Sequence, residues 1–473
     1  MTKIRWSSDK RKYKSIGTFV IALLTAIAIS LLPPLVNVVV GSSPTSFAQV
    51  RIDPTTVMGK ETFFHVGKST QGRWWFIDPD GKPFFYKGVT SVNPEYPLIY
   101  SLFVNEKYSK DRSAFRETAL QRLQNWNFNA LGGWTAPLFW DKGMPYTVIL
   151  DFAKVTPPIK NEYIYLPDVF DPEWLKQIDV KAKNIAAPIA KSKQLVGYFT
   201  DNELIWAQAQ TPDRKVDPSL LLTSEARLSL LQIFLSLEEK QPGYKAAWDF
   251  VLKRHGNSLE QLAKDWQLEI TSQETIKQWT NEKKAIVSKS YLADEGAFSE
   301  EIARRYFQET SAAIHRYDPN HLILGCRFGE PPGQAIFAAI KHPWVDVVSA
   351  NNYRFAMYDR IDIYYQGTQL PILNGEFSWG HKVFSDRPLP NEPEGGITLT
   401  ERMIRNGEES LKKAITHPAL VGYTWYRWVD LPGNTPPISL GLLNLNDEPN
   451  KLHTDLLKKI NAQAEAIALK NNN

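Results

Sequence analysis

Two segments of this chain run from an apolar stretch into a glutamate. Val196–Phe199 leads through a short polar stretch to Glu203, and Ile372–Gly375 leads directly to Glu376. A charge at the end of a buried stretch costs free energy unless it has partners, so these carboxyl groups differ from solvated surface glutamates. Two carboxyl groups facing each other across one sugar can cleave a glycosidic bond with retention of configuration, because one attacks the anomeric carbon while the other protonates the departing oxygen. The pair therefore predicts a site for glycosidic bond cleavage.

Short runs rich in β-branched and aromatic residues recur along the chain, separated by stretches with a helical pattern. The eight runs are Phe84–Val89, Asn129–Gly132, Tyr146–Phe152, Leu195–Thr200, Leu322–Phe328, Val345–Ala350, Pro371–Asn374 and Leu420–Thr424. Strands that alternate with helices favour a parallel sheet with crossover connections. We therefore predict an α/β fold, a closed (β/α)8 TIM barrel that occupies residues 49–473.

Glu203 follows the fourth of these runs and Glu376 ends the seventh. Catalytic groups of this fold come from the C-terminal ends of its strands, so we expect both side chains to project into one mouth. Retaining enzymes hold such a pair about 5 to 5.5 Å apart. At that separation an ionised Glu376 would raise the pKa of Glu203 and keep it a competent acid.

Three further elements have their own sequence signals. Pro172 is at a first-turn position with Asp171 as its cap, and Ser299 is predicted to open another helix that ends before Asp318–Asn320. The long connection after the fourth strand, residues 207–298, is predicted to be a helical insertion above the barrel mouth, with either a functional or a purely structural role. A hairpin with the turn Asp80–Gly81 precedes the first strand, and we expect it to cover the bottom of the barrel.

The first 48 residues resemble a targeting segment. A basic head precedes an apolar run from Ile16 to Leu32, and Ser46–Ala48 offers small residues where a signal peptidase reads. We predict cleavage before Gln49 and export to the periplasm or the outside of the cell. The alternative is an uncleaved membrane anchor, because Leu35–Val40 prolongs the apolar stretch.

Charge and cysteine content exclude several classes of function. Residues 1–48 hold six Lys or Arg and one acid, so without them the formal charge falls from +4 by 5 to −1. A body without a basic excess does not favour a nucleic-acid partner. The single cysteine, Cys326, lies in an apolar run and is expected in the core, and the histidines form no close ligand pair. We therefore predict no metal and no cofactor.

The residues around both glutamates resemble a known family. The chain resembles clan A glycoside hydrolases, and more narrowly it is similar to the β-agarases of glycoside hydrolase family 50. The matching stretches are Arg73–Pro79 through Gly88–Val89, Val196–Trp206, Tyr317–Leu322 through Arg327–Phe328, Gly375–Phe377, and Gly422–Trp425 through Asp430.

The resemblance implies a role for each residue at the site. Glu203 would be the acid/base and Glu376 the nucleophile, and Asn202 would bind the sugar hydroxyl next to the anomeric carbon. Tyr353 would steady the nucleophile, and Trp425 would form an aromatic floor under the apolar face of the reacting sugar. Six further residues are candidates for sugar contacts, with a structural role as the alternative: Asn93, Trp134, Trp206, Arg327, Trp428 and Asp430.

The leading hypothesis is an exported retaining β-glycosidase that acts on β-linked galactose in an agarose-like or related polysaccharide. A second hypothesis keeps this scaffold and chemistry for a β-glucan, a β-mannan or a small β-galactoside. A third is a catalytically silent barrel that only binds a glycan. The expected partner is a polysaccharide or oligosaccharide, and a membrane is expected only through an uncleaved N-terminal segment.

Overall fold

A barrel of parallel strands forms the centre of the protein in the computed structural model, which describes residues 50–207, 222–223, 227–380, 397–433 and 439–470. The predicted targeting segment lies outside the described residues. The barrel strands are β1 (Tyr86–Val89), β2 (Ala130–Leu131), β3 (Tyr146–Ile149), β4 (Leu195–Phe199), β5 (Leu322–Ile323), β6 (Val348–Asn351), β7 (Ile372–Phe377) and β8 (Leu420–Trp425). Each of these strands lies within one of the eight predicted runs or overlaps it, so the predicted strands are confirmed.

The strands pair in the order of the chain, and the sheet closes on itself. Hydrogen-bonded ladders join β1 to β2, β2 to β3, β3 to β4, β4 to β5, β6 to β7, β7 to β8, and β8 back to β1. A parallel bridge between Phe328, in the segment after β5, and Ala350 in β6 joins these two parts of the barrel. The predicted (β/α)8 barrel is therefore confirmed.

Helices surround the barrel within the described residues. They are α1 (Leu98–Lys107), α2 (Arg112–Asn125), α3 (Pro172–Ile189), α4 (Leu230–Phe234), α5 (Pro242–Arg254), α6 (Leu259–Trp266), α7 (Gln273–Asn281), α8 (Lys289–His315), α9 (Gln334–Ala339), α10 (Met357–Thr368), α11 (Leu399–Ile415) and α12 (Lys451–Lys470). In the same ranges, no helix is both long enough and apolar enough to cross a membrane.

The start of α3 agrees with its prediction, and the start of α8 does not. The Asp171 carboxylate accepts a hydrogen bond from the Glu173 amide, so Asp171 caps α3 as expected. The prediction that Ser299 opens a helix is wrong, because α8 begins ten residues earlier with Ser288 as its cap. Ser299 lies inside α8 and donates its hydroxyl to the Glu295 carboxylate. The helix begins at the Ser288 cap because residues upstream of Ser299 continue the buried face of α8.

The predicted insertion after β4 is helical where the structure describes it. It contains α4 to α7 and a strand pair, Leu222–Thr223 with Ala285–Ile286. The Asp168 carboxylate, just before α3, accepts a hydrogen bond of 2.8 Å from the Gly243 amide at the start of α5. The insertion thus packs on the segment that opens α3, which lies at the C-terminal ends of the barrel strands. The last ten residues of the predicted insertion belong to α8 instead.

Two small antiparallel sheets lie at opposite ends of the barrel. In the first, Trp74–Ile77 pairs with His65–Lys68 and Pro83–Phe84, and Arg73 Nη2 donates to the Leu420 carbonyl at the start of β8 at 2.9 Å. This confirms that the predicted hairpin covers the bottom of the barrel. The second sheet joins Ile159–Lys160, Ile164–Leu166 and Ile205–Trp206, so it holds the chain immediately after Glu203.

Candidate active site

A cleft of about 580 Å³ opens where the barrel strands end, and both predicted catalytic glutamates line it. Its lining residues are Ser91, Asn93, Tyr96, Trp134, Asn202, Glu203, Tyr353, Glu376, Tyr426, Arg427 and Leu431. Glu203 follows β4, and Glu376 lies within the last residues of β7. Two acids that are far apart in the chain therefore meet in one cavity, as the barrel geometry requires.

Glu376 is buried and has two side-chain partners. Its Oε1 accepts a hydrogen bond of 2.9 Å from Arg327 Nη2, and its Oε2 accepts one from the Tyr353 hydroxyl. Burial raises the pKa of Glu376, whereas the charge of Arg327 and the Tyr353 hydrogen bond act in the opposite direction without cancelling it. The negative charge of Glu203 also raises the pKa of Glu376. The two carboxyl groups are thus close enough to interact electrostatically.

Arg327 joins the two glutamates through its backbone and its side chain. Its carbonyl accepts a hydrogen bond of 3.0 Å from the Glu203 amide, and its Nη2 donates both to Glu376 and to the Gly375 carbonyl, the latter at 2.7 Å. The guanidinium is fully buried over the Trp134 ring, 4.5 Å from the ring centroid. The residue has a φ of 43°, a left-handed backbone that is uncommon outside glycine and that occurs often at functional sites.

Glu203 is exposed, and its φ of 52° also lies in the left-handed region. Asn351 Nδ2 donates to Glu203 Oε1 at 2.8 Å and to Asn202 Oδ1 at 3.0 Å. Asn351 ends β6 directly opposite Glu376 of β7, after a shift of register between Ala350 and Asn351. Such a bulge redirects a side chain, and here it turns Asn351 toward the acid of another strand.

Gly375 permits the close packing beside Glu376. A Cβ atom at this position would lie 2.5 Å from Ser349 Oγ, 3.0 Å from Asn351 Oδ1 and 3.1 Å from Arg327 Nε. The contact with Ser349 is shorter than real Cβ atoms make, so any other residue would displace Ser349 and would also crowd Asn351 and Arg327. The glycine before the predicted nucleophile therefore permits the packing of the residues that hold both acids.

Four of the predicted sugar-contact residues line the cleft: Asn202, Tyr353, Asn93 and Trp134. Tyr353 donates to Glu376, which is the contact that the resemblance implied. Asn93 also organises its own loop, because its Oδ1 accepts a hydrogen bond of 2.8 Å from the Glu95 amide. Their positions are compatible with the predicted roles, which remain predictions.

The two tryptophans predicted at the end of β8 are placed elsewhere. Trp425 has no exposed surface, donates its indole N–H to the Leu440 carbonyl at 3.0 Å, and packs 4.6 Å from the Trp379 ring. Trp428 is likewise fully buried and donates to the Tyr100 hydroxyl at 3.1 Å. The prediction that Trp425 forms a floor at the cleft surface is therefore wrong, because its ring is buried in the core behind the cleft.

Three other predicted sugar contacts also lie outside the cleft lining. Arg327 lies behind Glu376 and positions it. Trp206 is buried with its ring stacked on Phe307 and lines a separate cavity of about 470 Å³ beside α8 and α9. Asp430 accepts a hydrogen bond of 2.7 Å from the Gly441 amide, which ties together the loop after β8.

Tyr426 and Arg427 line the cleft in the loop after β8, where the sequence predicts that substrate choice is decided. Four site residues were missed from the sequence: Ser91, Tyr96, Asn351 and Leu431. With the exception of Asn351, which ends β6, they follow β1 or β8. The rule that catalytic groups lie at the C-terminal ends of barrel strands could have found them, because it applies to every strand and not only to β4 and β7. Among the described residues, no group of three or more His, Cys, Asp or Glu is arranged to hold a metal ion.

Comparisons with known proteins place this cleft in context. No family model matches the chain. Two curated relatives come from Vibrio sp. (strain JT0107). β-Agarase B is 24% identical over 385 residues, which cover 77% of this chain and 38% of that protein. β-Agarase A is 23% identical over 484 residues, which cover 86% of this chain and 46% of that protein. The chain thus spans less than half the length of these relatives.

Solved structures share the fold. An exo-β-agarase superposes with a TM-score of 0.68 and 20% identity, covering 89% of this chain and 68% of that chain. The agarase AgWH50C superposes with a TM-score of 0.64 and 20% identity, covering 88% of this chain and 67% of that chain. The predicted resemblance to the β-agarases of glycoside hydrolase family 50 is therefore confirmed, as is the barrel fold.

Proposed function

We propose that this chain, as a relative of the β-agarases, is a retaining β-glycosidase that hydrolyses β-galactosidic bonds in an agarose-like polysaccharide. The observation that carries the proposal is the meeting of Glu203 and Glu376 in one cleft, with Glu376 buried and held by Arg327 and Tyr353. The similarity to β-agarases supports the choice of sugar.

In the first step, Glu376 attacks the anomeric carbon and forms a glycosyl ester, while the bond to the departing oxygen breaks and Glu203 gives that oxygen its proton. Arg327 and Tyr353 hold the Glu376 carboxylate, so its attacking orientation is set before the sugar arrives. Asn351, at the end of β6, holds Glu203 with a hydrogen bond to its carboxyl group.

In the second step, Glu203 is ionised and acts as a base. It takes a proton from water while the water oxygen attacks the anomeric carbon, and Glu376 leaves as a free carboxylate. The raised pKa of Glu376 gives the ester step a driving force, because bond formation removes a negative charge from a buried position. The charge of Arg327 lowers the pKa of Glu376 and so keeps Glu376 available in its ionised form.

The other lining residues suit a sugar ring. Trp134, Tyr96 and Tyr426 offer aromatic surface, and a pyranose has an apolar C–H face that packs on such rings. Asn202 lies beside Glu203 in the cleft lining and shares the donor Asn351 Nδ2 with it, which supports the proposal that Asn202 binds the hydroxyl next to the anomeric carbon.

The decisive experiment incubates the protein with agarose, porphyran, β-mannan, β-glucan and an aryl β-galactoside, and follows the configuration of the released sugar by NMR. We expect release from agarose, with the β-configuration formed first. Release from one of the other substrates alone would name that substrate instead. Binding without release from any of them would identify a silent glycan-binding barrel.

The catalytic assignment is tested with Glu203→Gln and with the control Glu300→Gln, which changes an exposed glutamate on α8. We expect Glu203→Gln to lose about 10²- to 10⁴-fold in kcat on polysaccharide. The loss should be smaller on an aryl galactoside whose leaving group needs little protonation. Equal activity of the two variants would refute the role of Glu203.

We further infer that the protein is exported, with cleavage before Gln49, from the basic head, the apolar run and the small residues of Ser46–Ala48. Mass spectrometry of the protein recovered from cells checks this, and a mature chain that begins at Gln49 is the expected result. An intact N-terminus in the membrane fraction would establish the anchor.

A further inference from the structure

Arg427 is a second buried guanidinium at the active-site cleft, and it is held differently from Arg327. It follows β8 and lines the cleft while only 2% of its surface is exposed. Its guanidinium carbon lies 5.2 Å from the Tyr96 ring centroid and 5.6 Å from that of Tyr426. The two tyrosines also line the cleft, so the cation lies between aromatic walls at the place where substrate would bind.

The charge of Arg427 is not neutralised as that of Arg327 is. Arg327 forms an ion pair with Glu376 at 2.9 Å. Within the described residues Arg427 belongs to no ion pair. Its buried Nε has no hydrogen-bond partner, as is also true of Arg327 Nε and Nη1, so the ion pair is what distinguishes the two arginines. The charge of Arg427 lowers the pKa of Asp430, although burial raises it more. The Asp430 carboxylate accepts a hydrogen bond from the Gly441 amide. A buried cation without a counter-charge in direct contact is costly, and a bound anion would reduce that cost.

The balance of charge in the cleft also favours an anion. When Glu203 carries the proton that it donates, the charged groups among the described lining residues are Glu376, which pairs with Arg327, and Arg427, which has Asp430 nearby but not in an ion pair. Ser91, Asn93 and Asn202 line the same cleft and offer polar groups to neutral hydroxyls. The planar fork of a guanidinium binds the oxygens of a sulfate or a carboxylate in pairs.

We propose that Arg427 binds an anionic substituent on a sugar next to the cleaved bond, so that the preferred substrate is an acidic galactan. The substituent is a sulfate ester or a carboxylate, two sources of the same oxyanion chemistry. This proposal rests on the proposed function for the class of sugar, and Arg427 is a specificity residue that leaves the bond-breaking step to the two glutamates.

The test compares three ligands with one carbohydrate skeleton: a neutral agaro-oligosaccharide, its sulfate ester and its carboxylated derivative. Binding is measured by calorimetry to Glu376→Gln, which keeps the ligands intact, and hydrolysis is measured with the unmodified enzyme. We expect one anionic ligand to bind about 10- to 100-fold more tightly than the neutral one, as a charge-assisted hydrogen bond would provide. Added salt should weaken that binding and leave the neutral ligand unaffected.

The matched variants are Arg427→Gln and Arg427→Lys in the Glu376→Gln background, with Arg354→Gln as the control. Arg354 is an exposed arginine that pairs with Glu330 and does not line the cleft. We expect the preference for the anion to vanish in Arg427→Gln, to persist in part in Arg427→Lys, and to remain in Arg354→Gln. If Arg427→Gln does not fold, the lysine variant and the salt dependence still decide the matter.

Two results separate this proposal from the proposed function. Equal affinity for all three ligands, or an equal loss for all three in Arg427→Gln, overturns the anion site and makes Arg427 a donor to neutral hydroxyls. Anion binding that depends on Arg427, without hydrolysis of any ligand, supports the anion site and refutes the proposed function.

Discussion

Two buried carboxylates in this protein have opposite surroundings. Asp447, in the loop before α12, has no exposed surface and accepts hydrogen bonds from Tyr100, Tyr108, Lys107 and Arg122 at 2.7 to 2.8 Å. Glu376 in the cleft has one arginine and one tyrosine. Burial raises the pKa of both, but the Arg122 and Lys107 contacts outweigh it at Asp447, where the net pKa is lowered, and not at Glu376.

The difference distinguishes a structural carboxylate, Asp447, from the proposed catalytic one, Glu376. The four partners of Asp447 come from α1, from Tyr108 directly after it and from α2, so the Asp447 carboxylate ties these helices to the loop before α12. Such a carboxylate stabilises the fold, and its oxygens have no hydrogen-bonding capacity left for a substrate. Glu376 keeps a cost of burial that a change in its charge would remove, and the ester bond of the proposed mechanism would make that change.

The largest effect expected from this comparison is on activity. Glu376→Gln should lower kcat/KM by about 10⁴-fold or more, because glutamine cannot form the ester and the site loses its nucleophile. Its thermal stability should fall less than that of Asp447→Asn, because Glu376 pairs with one buried cation, Arg327, whereas Asp447 pairs with two. Steady-state kinetics and a thermal melt measure both quantities. Undiminished activity would remove Glu376 from the mechanism.

Asp447→Asn should show the reverse pattern. Removing the charge leaves Lys107 and Arg122 without their carboxylate, and breaking such a buried cluster costs about 3 to 5 kcal/mol of folding free energy. Urea denaturation measures the loss, while the kcat of the folded fraction should stay unchanged. The control is Asp455→Asn, an exposed position on α12 that should leave the unfolding midpoint where it is. A stable but inactive Asp447→Asn would contradict the contrast drawn between the two carboxylates.

A smaller effect is expected when each carboxylate loses one tyrosine. Tyr353→Phe removes one of two donors to Glu376 and should lower kcat about tenfold. The acidic limb of the pH–rate profile should move to higher pH, because the Tyr353 hydroxyl lowers the pKa of the Glu376 carboxyl. Tyr108→Phe removes one of four side-chain donors to Asp447 and should change only stability, by about 1 kcal/mol. Identical pH profiles for Tyr353→Phe and the unmodified enzyme would argue against the positioning role.

The smallest effect is in the pH dependence of stability, where the two residues should have opposite signs. The folded pKa of Glu376 is raised, so its contribution is present below the unfolded pKa and is lost as pH rises through the folded value. The folded pKa of Asp447 is lowered, so its contribution is present above the unfolded pKa of about 3.9 and is lost as pH falls through the folded value.

Urea unfolding of the unmodified protein, Glu376→Gln and Asp447→Asn between about pH 3 and pH 8 checks these signs. The stability difference between the unmodified protein and Glu376→Gln should fall as pH rises, and the difference from Asp447→Asn should grow. Parallel curves would mean that the two carboxylates have similar surroundings in solution.

Much of the scaffold was predictable because its signals are local. Apolar runs marked the barrel strands, Asp80–Gly81 marked the hairpin, and Asp171 with Pro172 marked the start of α3. The start of α8 was mispredicted at Ser299, because two serines could cap a helix there and only the packing upstream of Ser299 decides between them.

The two glutamates could be found from the sequence by itself, because each ends or follows a strand and barrel strands present their ends at one mouth. Which other side chains reach that mouth was decided by the tertiary structure. After β8 the chain directs Tyr426 and Arg427 into the cleft and buries Trp425 and Trp428, a choice that depends on the rings packed behind it.

The sequence around each carboxylate also did not predict which residues would bind it. Arg327 meets Glu376 from another strand, and the four donors of Asp447 lie more than three hundred residues earlier in the chain. Local pattern determines which residues form a strand or begin a helix, because neighbours in sequence set backbone preferences. Whether a buried acid is satisfied or reactive depends on contacts between distant segments, and those exist only once the barrel has closed.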